Sequence, residues 1–174
     1  MKFRNLAVAV VLILAVSGCA TGAKPDAMVA DKVVIAHASG SDVTVAVSGG
    51  KDTSKMGASQ VSDDAFAQAL RDSIAKSGLF KAVADSGGRY KLNAFIGKVD
   101  QPMMGFSMTV KMEVSYTLVD TSSGKTVWAK NVASEHTAKA GEAFAGVERL
   151  RLANQGAAKA NIEQALADMS IIEL

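Results

Sequence analysis

The sequence predicts an α+β domain: a two-layer sandwich in which one mainly antiparallel sheet of five or six strands carries two helices on one face. Three observations lead to this class. Period-two alternation of apolar and polar residues dominates the middle of the 174-residue chain. Turn-forming residues join most of the alternating segments without an intervening helix. Two segments with helical spacing, at residues 62–77 and 144–169, are too few for a sheet built from repeated βα units.

The first 18 residues have the parts of a bacterial signal peptide. Lys2 and Arg4 form a basic start, and residues 6–16 form an unbroken apolar run. A run of about 11 residues suits a signal peptide and is too short to cross a bilayer as a helix. The run leads into a segment that resembles the lipobox of bacterial lipoproteins, with the residues Val16, Ser17, Gly18 and Cys19. The resemblance implies cleavage after Gly18 and attachment of diacylglycerol and a fatty acid such as palmitate to Cys19.

Residues 19–30 are predicted to form a lipidated, flexible tether, because they show no periodicity and contain both glycine and proline. Cys19 is the one cysteine of the chain, so an internal disulfide is excluded. Two or more acyl chains on it would anchor the protein stably. The residue after the cysteine is Ala20 and not aspartate. In this it resembles the outer-membrane class of enterobacterial lipoproteins. We therefore expect the protein on the outer membrane, facing the periplasm.

Residues 31–174 are predicted to form one periplasmic domain that begins with a β-hairpin. Residues 32–38 are mostly apolar, and residues 42–47 have valine at every second position. The Ser-Gly-Ser sequence at residues 39–41 favours a turn between the two segments. A polar, glycine-rich loop at residues 48–60 follows the hairpin.

The first helix is predicted over residues 62–77. Ser62 is a suitable N-cap, and the two aspartates after it suit the positive end of the helix dipole. One buried face is indicated by apolar residues at a spacing of four, namely Phe66, Leu70 and Ile74. Gly78 is expected just after the helix, where a residue in the left-handed conformation commonly ends it.

The second half of the chain is predicted to contain the remaining strands and the second helix. A short strand at residues 80–83 and an alternating strand at residues 90–96 come first. The longest alternation in the sequence follows, and its apolar residues are Phe106, Met108, Val110, Met112, Val114, Tyr116 and Leu118. A hairpin loop at residues 120–125 leads to a returning strand at residues 126–137. Helical composition then returns at residues 144–169.

Composition and charge exclude several classes of function. The chain has 19 basic and 17 acidic residues, and two of the basic residues lie in the leader, so the mature domain is neutral. A neutral domain with 5% aromatic residues offers neither an electrostatic nor a stacking surface for nucleic acid. His37 and His136 are the only histidines, and no nucleophile or metal-binding motif accompanies them. We therefore expect no enzyme, no metal and no cofactor.

One motif leaves an enzymatic alternative open. The sequence from Ser48 to Thr53, Ser-Gly-Gly-Lys-Asp-Thr, resembles the pyrophosphate loop of ATP pyrophosphatases. In such loops, glycine amides and an adjacent helix N-terminus bind phosphate. Here about nine residues separate the motif from the helix cap, and a parallel nucleotide-binding sheet is not predicted. We therefore expect a mobile loop that binds no nucleotide.

Two loops are candidate interaction sites. Met103 and Met104 lie beside a proline and a glycine, outside any predicted strand, and are expected to be exposed. Methionine side chains adapt to partner surfaces of different shape. Gly49 and Gly50 form the second candidate, within the polar loop that follows the predicted hairpin.

Two segments resemble a group of bacterial envelope proteins. Residues 69–83 resemble the helix, small-Gly-Leu-Phe, strand signature of the group, and residues 116–128 resemble its hairpin with a Gly-Lys-x-x-Trp ending. The group includes the curli-secretion lipoprotein, the lipoprotein activators of penicillin-binding proteins and the N-terminal domain of the translocation protein TolB. The resemblance covers residues 31–170. It implies a fold and a compartment, and not one function, because the group has several functions.

These observations predict a lipid-anchored accessory protein of the cell envelope that acts through protein contacts. Its expected partners are the membrane, through Cys19, and an unidentified envelope protein that binds a sheet edge or one of the two loops. The alternative is a structural subunit of an oligomeric envelope or secretion assembly, in which the partner is another copy of the chain. A further alternative is an enzyme or nucleotide-binding protein that uses residues 48–53.

Overall fold

The computed structural model describes residues 20–55 and 57–174, which form one sheet with helices on one face. The predicted α+β class is confirmed, and the sheet has five strands in the order β2-β1-β3-β4-β5. The elements in chain order are α1 (Pro25–Met28), β1 (Asp42–Ser48), α2 (Asp63–Ser77), β2 (Ala82–Val83), β3 (Tyr90–Asp100), β4 (Met108–Asp120), β5 (Thr126–Ala138) and α3 (Gly146–Met169). The predicted signal peptide and Cys19 lie outside the described residues.

The sheet is antiparallel on one side and parallel on the other. β3, β4 and β5 follow one another through short connections and pair antiparallel. β1 pairs parallel with both β2 and β3. The parallel pairing of β1 with β2 arises because α2 carries the chain back along the sheet between them, as a parallel pair requires. The alternation of apolar residues did not predict this single βαβ unit.

The predicted hairpin between residues 32–38 and 42–47 is wrong, because residues 32–38 form no strand. Their backbone is bonded to the end of α3 instead. Ala36 N–H donates to Ser170 Oγ at 3.1 Å, and His37 N–H donates to Ser170 O at 2.9 Å. Both neighbours of β1 in the sheet, β2 and β3, come later in the chain, so no place beside β1 remains for residues 32–38.

α2 has the ends that its sequence predicts. Ala65 N–H donates to the Ser62 hydroxyl at 3.3 Å, which satisfies one of the free amides of the first turn. Gly78 has a φ of 69°, and its N–H donates to Ile74 O. The next residue, Leu79, turns back into the core, where it is buried. The first predicted helix is therefore confirmed.

We expect Gly78→Ala to lower the free energy of unfolding by about 1–2 kcal/mol. A Cβ added at Gly78 would meet no atom within 4 Å, so the cost comes from the left-handed backbone alone. Gly40→Ala is the matched control, because its Cβ would also lie in open space and its φ is not positive. Urea unfolding of both variants measures the difference. Equal midpoints would show that the backbone at Gly78 relaxes without cost.

The inner face of β4 forms the centre of the core. Its buried residues follow the predicted alternation and are Met108, Val110, Met112, Val114, Tyr116 and Leu118. Phe106, which the same alternation predicts to be buried, is 88% exposed, because the strand begins only at Met108. The predicted hairpin after β4 is confirmed, with Asp120 N–H donating to Lys125 O at 2.9 Å.

α3 is one continuous helix that covers β4 and β5, which confirms the second predicted helix. Its buried Asn161 accepts a hydrogen bond from Tyr116 Oη at 2.9 Å and donates to Val132 O at 2.9 Å. Burial raises the pKa of the Tyr116 hydroxyl, which therefore stays protonated and donates. Gly156 does not break the helix. It allows a close approach to β5, because a Cβ there would overlap the His136 ring.

Residues 20–30 are packed against the domain, so the prediction of a flexible tether is wrong for them. The segment contains α1, which contacts both α2 and α3. Its buried residues are Ala23, Met28 and Ala30. Ala23 N–H donates to Gln60 O at 2.9 Å, and Ala30 N–H donates to Ser73 Oγ at 2.9 Å. Local composition could not predict this packing, because the residues that cover the segment lie far along the chain.

Asp31 ties the end of this segment to both long helices. Its carboxylate pairs with Lys76 of α2 at 2.7 Å and with Lys159 of α3. The hydrogen bond from Lys159, followed by the one from Lys76, lowers the pKa of Asp31 from 3.8 to about 2. Because the three side chains remain largely in water, the pairs position the segment more than they stabilise the fold.

We expect Asp31→Asn to lower the melting temperature slightly at neutral pH and less so in acid. A carboxyl group whose pKa falls on folding contributes stability above its unfolded pKa, and loses that contribution as the pH falls through the folded value. For Asp31 this window lies between pH 3.8 and about 2. Thermal melts of both proteins across the window measure the difference. A difference in melting temperature that stays constant down to about pH 2 would contradict the pairing of Asp31 with the two lysines.

Candidate functional site

The structure describes only part of the site predicted from the sequence. The lipobox residues and Cys19 lie outside the described ranges, so the lipidation site stays a prediction. Met103 and Met104 are described and, as expected, are exposed, by 98% and 84%. They lie in the loop between β3 and β4.

The two methionines belong to a larger exposed surface, here called the apolar end. The loop between β5 and α3 reaches the same end of the sheet as the methionine loop, because β4 and β5 are antiparallel. The large exposed apolar side chains of the apolar end are Met103, Met104, Phe106, Phe144 and Val147. The Phe144 side chain is fully exposed. Clusters of this kind usually mark a contact with a partner or a membrane.

Arg149 holds the two loops of the apolar end together. From the first turn of α3, its guanidinium donates to the carbonyl oxygens of Ala143 and Phe144 at 2.7 and 2.9 Å. The same guanidinium reaches Gly105 O, directly before Phe106, at 3.4 Å. One side chain thus ties together the two backbone segments that carry the exposed phenylalanines.

A shallow groove of about 530 Å³ runs through the apolar end. The methionine loop and the first turn of α3 form its walls, and Gly57 and Ala58 lie along one side. Among the described residues that line it, Arg149 alone carries a charge. Such a groove can receive an apolar side chain or an acyl chain.

A buried amide network fixes the base of the apolar end. Gln101 Nε2 donates to Ser59 O at 2.9 Å and to Asn154 Oδ1 at 2.8 Å. Asn154 Nδ2 donates to the same Ser59 carbonyl at 2.8 Å. The network joins three parts of the chain: the loop before α2, the residue directly after β3, and the middle of α3. The exposed loops therefore start from positions that buried hydrogen bonds hold in place.

The described chain begins at this same end of the domain. Ala20 N–H donates to Lys55 O at 3.4 Å, and Ala23 N–H donates to Gln60 O at 2.9 Å. The Gln60 side chain in turn donates to Gln101 Oε1 at 3.3 Å. The chain therefore enters the domain beside the loop that forms one side of the groove.

The loop from Ser48 to Thr53 lies beside the N-terminus of α2, although the two are separated along the chain. Lys51 N–H donates to Val61 O at 2.9 Å, and Gly50 N–H donates to Asp63 Oδ1 at 2.7 Å. The motif therefore lies close to a helix N-terminus, contrary to the expectation from its separation along the chain. The contact between the motif and the start of α2 could not be predicted from their separation along the chain, because the backbone brings Lys51 back beside Val61.

The local chemistry nevertheless opposes phosphate binding at this loop. The Gly50 amide, which a phosphate would need, is already bonded to a carboxylate. The acidic residues that line the recess beside it are Asp52, Asp63 and Asp64. Packing accounts for the other glycine of the motif, because a Cβ at Gly49 would overlap the Ile96 carbonyl oxygen. An anion would meet like charge and no free amide at Gly50.

We expect the protein to bind no ATP at millimolar concentration, because the Asp63 carboxylate already accepts from the Gly50 amide and two further aspartates line the recess. Titration calorimetry of the detergent-solubilised protein with ATP and Mg²⁺ measures binding. The Asp52→Ala variant is the comparison, since it removes one carboxylate of the recess. A micromolar Kd in the unaltered protein would contradict this prediction, and its loss in Asp52→Ala would assign the binding to this loop.

Residues 20–55 and 57–174 are the part of the chain in which a metal site can be sought. Within them, no group of three or more His, Cys, Asp or Glu side chains has an arrangement that could hold a metal ion. His37 and His136 are both exposed, and the His136 ring packs on Gly156. In the same part of the chain, no helix combines the length and the apolar character needed to span a bilayer.

The sequence predicted the methionines of the apolar end but not its phenylalanines. Phe106 continues the apolar alternation of β4, and alternation alone does not show where a strand begins. Phe144 stands at the start of a segment with helical composition and was assigned to that helix. The neighbouring residues do indicate that both phenylalanines lie in loops. Gly105 precedes Phe106, and alanine and glycine surround Phe144.

Comparisons with known proteins extend the description of the fold. No known protein-family model matches the sequence, and no curated protein matches it. Among solved structures, a protein from Xanthomonas campestris of the family DUF330 has 13% identity and a TM-score of 0.63, over 82% of this chain and 90% of that one. PelC from Paraburkholderia phytofirmans, solved as a dodecamer, has 15% identity and a TM-score of 0.50, over 78% and 93%.

A minor lipoprotein from Acinetobacter baumannii is also similar, with 7% identity and a TM-score of 0.49 over 75% of this chain and 92% of that one. At such identities, the likeness shows a fold that occurs in bacterial proteins, and nothing more specific. The narrower resemblance to the TolB, curli-secretion and penicillin-binding-protein-activator group stays a prediction.

Proposed function

We propose that the chain is a lipid-anchored accessory protein of the bacterial cell envelope that binds another envelope protein at the membrane surface. The observation that carries the proposal is the open edge of its sheet. β5 is 13 residues long and has no further strand partner in the described part of the chain. An edge of this length presents main-chain donors and acceptors to a strand of another protein.

The side chains of β5 suit such a contact. Its exposed small residues are Ala129, Asn131, Ala133 and Thr137, which leave room for a second backbone to approach. α3 holds the strand in place from the inner face, where Lys130 pairs with Asp168 at 2.6 Å. Asn161 also bonds to the Val132 carbonyl. A strand that is fixed before binding loses little conformational entropy when a partner adds to it.

The proposed location in the cell envelope is inferred from the predicted signal peptide and from Cys19. A basic start, a short apolar run and small residues before a cysteine are the features that secreted lipoproteins share. Ala20 after the cysteine supports the outer membrane as the place where the mature protein resides.

Photocrosslinking in cells tests the protein contact. A photoreactive phenylalanine analogue at Ala133, on the exposed face of β5, should give a defined adduct, which mass spectrometry then identifies. The same analogue at Ala75, exposed on α2, is the control and should give none. Equal adducts from both positions, or no adduct from any exposed position of β5, would contradict the proposal.

The second candidate is a structural subunit of an oligomeric assembly. The PelC structure, which shares the fold at a TM-score of 0.50, is a dodecamer. An open strand edge can also pair with another copy of the same chain. The crosslinking experiment separates the candidates, because self-association gives an adduct of twice the chain mass that contains only this sequence.

A further inference from the structure

Ala20, the residue that follows the predicted lipid anchor in the sequence, is in contact with the loop before α2. Cys19 directly precedes Ala20, so their Cα atoms are about 3.8 Å apart. Ala20 is bonded through its N–H to Lys55 O. Three residues later, Ala23 is buried and bonded to Gln60 O. An acyl chain on Cys19 would therefore leave the domain beside this loop, and not from the end of a free tether.

The same loop leads directly to the apolar end. Its Gly57 and Ala58 line the groove together with Met103 and Met104. The Arg149 guanidinium, which also lines the groove, binds the backbone of the loop that carries Phe144. The predicted lipid and the exposed apolar side chains thus share one end of the domain.

The chemistry of the apolar end suits the boundary between lipid headgroups and acyl chains. Its exposed residues are methionine, phenylalanine and valine, and phenylalanine is among the side chains that interfacial proteins bury at that boundary. Lys139 and Glu142, in the loop between β5 and α3, carry opposite charges, and the backbone N–H of Lys139 donates to Glu142 Oε1 at 2.8 Å. Attraction to the membrane would therefore be apolar, with little dependence on anionic lipid.

We propose that the apolar end lies in the interfacial layer of the membrane to which Cys19 is anchored, an inference that rests on the proposed lipidation. Met103, Met104, Phe106 and Phe144 enter the lipid, and they fix the orientation of the domain together with the acyl chains. β3 runs towards the membrane over about 35 Å. The loop at residues 84–89 then points away from the bilayer, and the edge of β5 stays accessible to a protein partner.

Fluorescence quenching on the lipidated, full-length protein in vesicles of phosphatidylethanolamine and phosphatidylglycerol tests the orientation. The Cys19 sulfur carries the lipid, so an introduced cysteine is the one free thiol for a bimane label. Phe144→Cys and Met104→Cys report on the apolar end, and Ser86→Cys, exposed in the loop at residues 84–89, is the control. We expect quenching by spin-labelled lipid to be at least twofold stronger at positions 144 and 104 than at 86. Quenching by aqueous iodide should show the reverse order.

Flotation of the same samples separates the two proposals. Protein that floats with the vesicles but shows equal iodide quenching at all three positions would overturn the orientation and leave the anchor intact. Labels at 144 and 104 that are protected from iodide without lipid quenching would also overturn it, because protein, such as a second copy, would then cover the apolar end. Protein that does not float would defeat both the anchor and the orientation.

Discussion

The Cys19→Ala protein is expected to stay unprocessed and to carry no acyl chain. The thioether to diacylglycerol forms on the cysteine sulfur, which alanine lacks. In the lipoproteins that this leader resembles, the peptidase cuts only after the lipid is attached. Metabolic labelling with palmitate should therefore be lost completely, and the protein should keep the mass of the full chain, 18.0 kDa.

Localisation alone is a poor measure of this variant. The uncut leader keeps its apolar run at residues 6–16, which can hold the protein at the inner membrane without any lipid. Labelling and chain mass are therefore the decisive readouts. Ser17→Ala is the matched control, since it keeps a small residue before the cleavage site and should be labelled and processed normally. Palmitate labelling that survives in Cys19→Ala would remove the basis for the anchor.

Met28→Ala is expected to lower the free energy of unfolding by about 2–5 kcal/mol. The Met28 side chain is fully buried, in a segment that contacts both α2 and α3. Truncation removes apolar contacts and leaves a cavity that the two helices cannot close without moving. The expected loss is large beside the roughly 5–15 kcal/mol that stabilises a typical domain.

Met103→Ala is the control for this prediction, because it is the same chemical change at a side chain that is 98% exposed. Its cost should stay below about 0.5 kcal/mol. Urea unfolding of the two variants decides between a packed segment and a tether. A flexible tether predicts equal midpoints, and that result would also remove the reason for placing Cys19 beside the apolar end.

The packing of Met28 bears on the proposed function, because it would limit how far the domain can move from the membrane to which Cys19 is proposed to be anchored. A free tether at residues 20–30 would let the domain turn in any direction, and no surface would face the lipid more than another. In the proposed lipidated protein, a packed segment would leave only Cys19 between the described residues and the acyl chains. The contact of Ala20 with Lys55 would then keep the loop that lines the groove of the apolar end near the membrane, as the proposed orientation requires.

Elements with local signals could be predicted from the sequence. Ser62 and Gly78 determine where α2 begins and ends, because a side-chain cap and a left-handed residue act on the backbone within one turn. The alternation along β4 separates buried from exposed residues for a similar reason, since neighbouring side chains of a strand point to opposite faces. The exposure of Met103 and Met104 followed from a loop that no strand could include.

The α+β class, the two long helices and the candidate lipid site at Cys19 could be predicted from the sequence, because each depends on residues a few positions apart. The tertiary structure alone decided that β1 lies between two parallel neighbours and that residues 20–30 pack beneath α2 and α3. It also brought Phe106 and Phe144 to one end of the sheet, through Arg149. These features depend on contacts between residues far apart in the chain, for which local composition and periodicity carry no information.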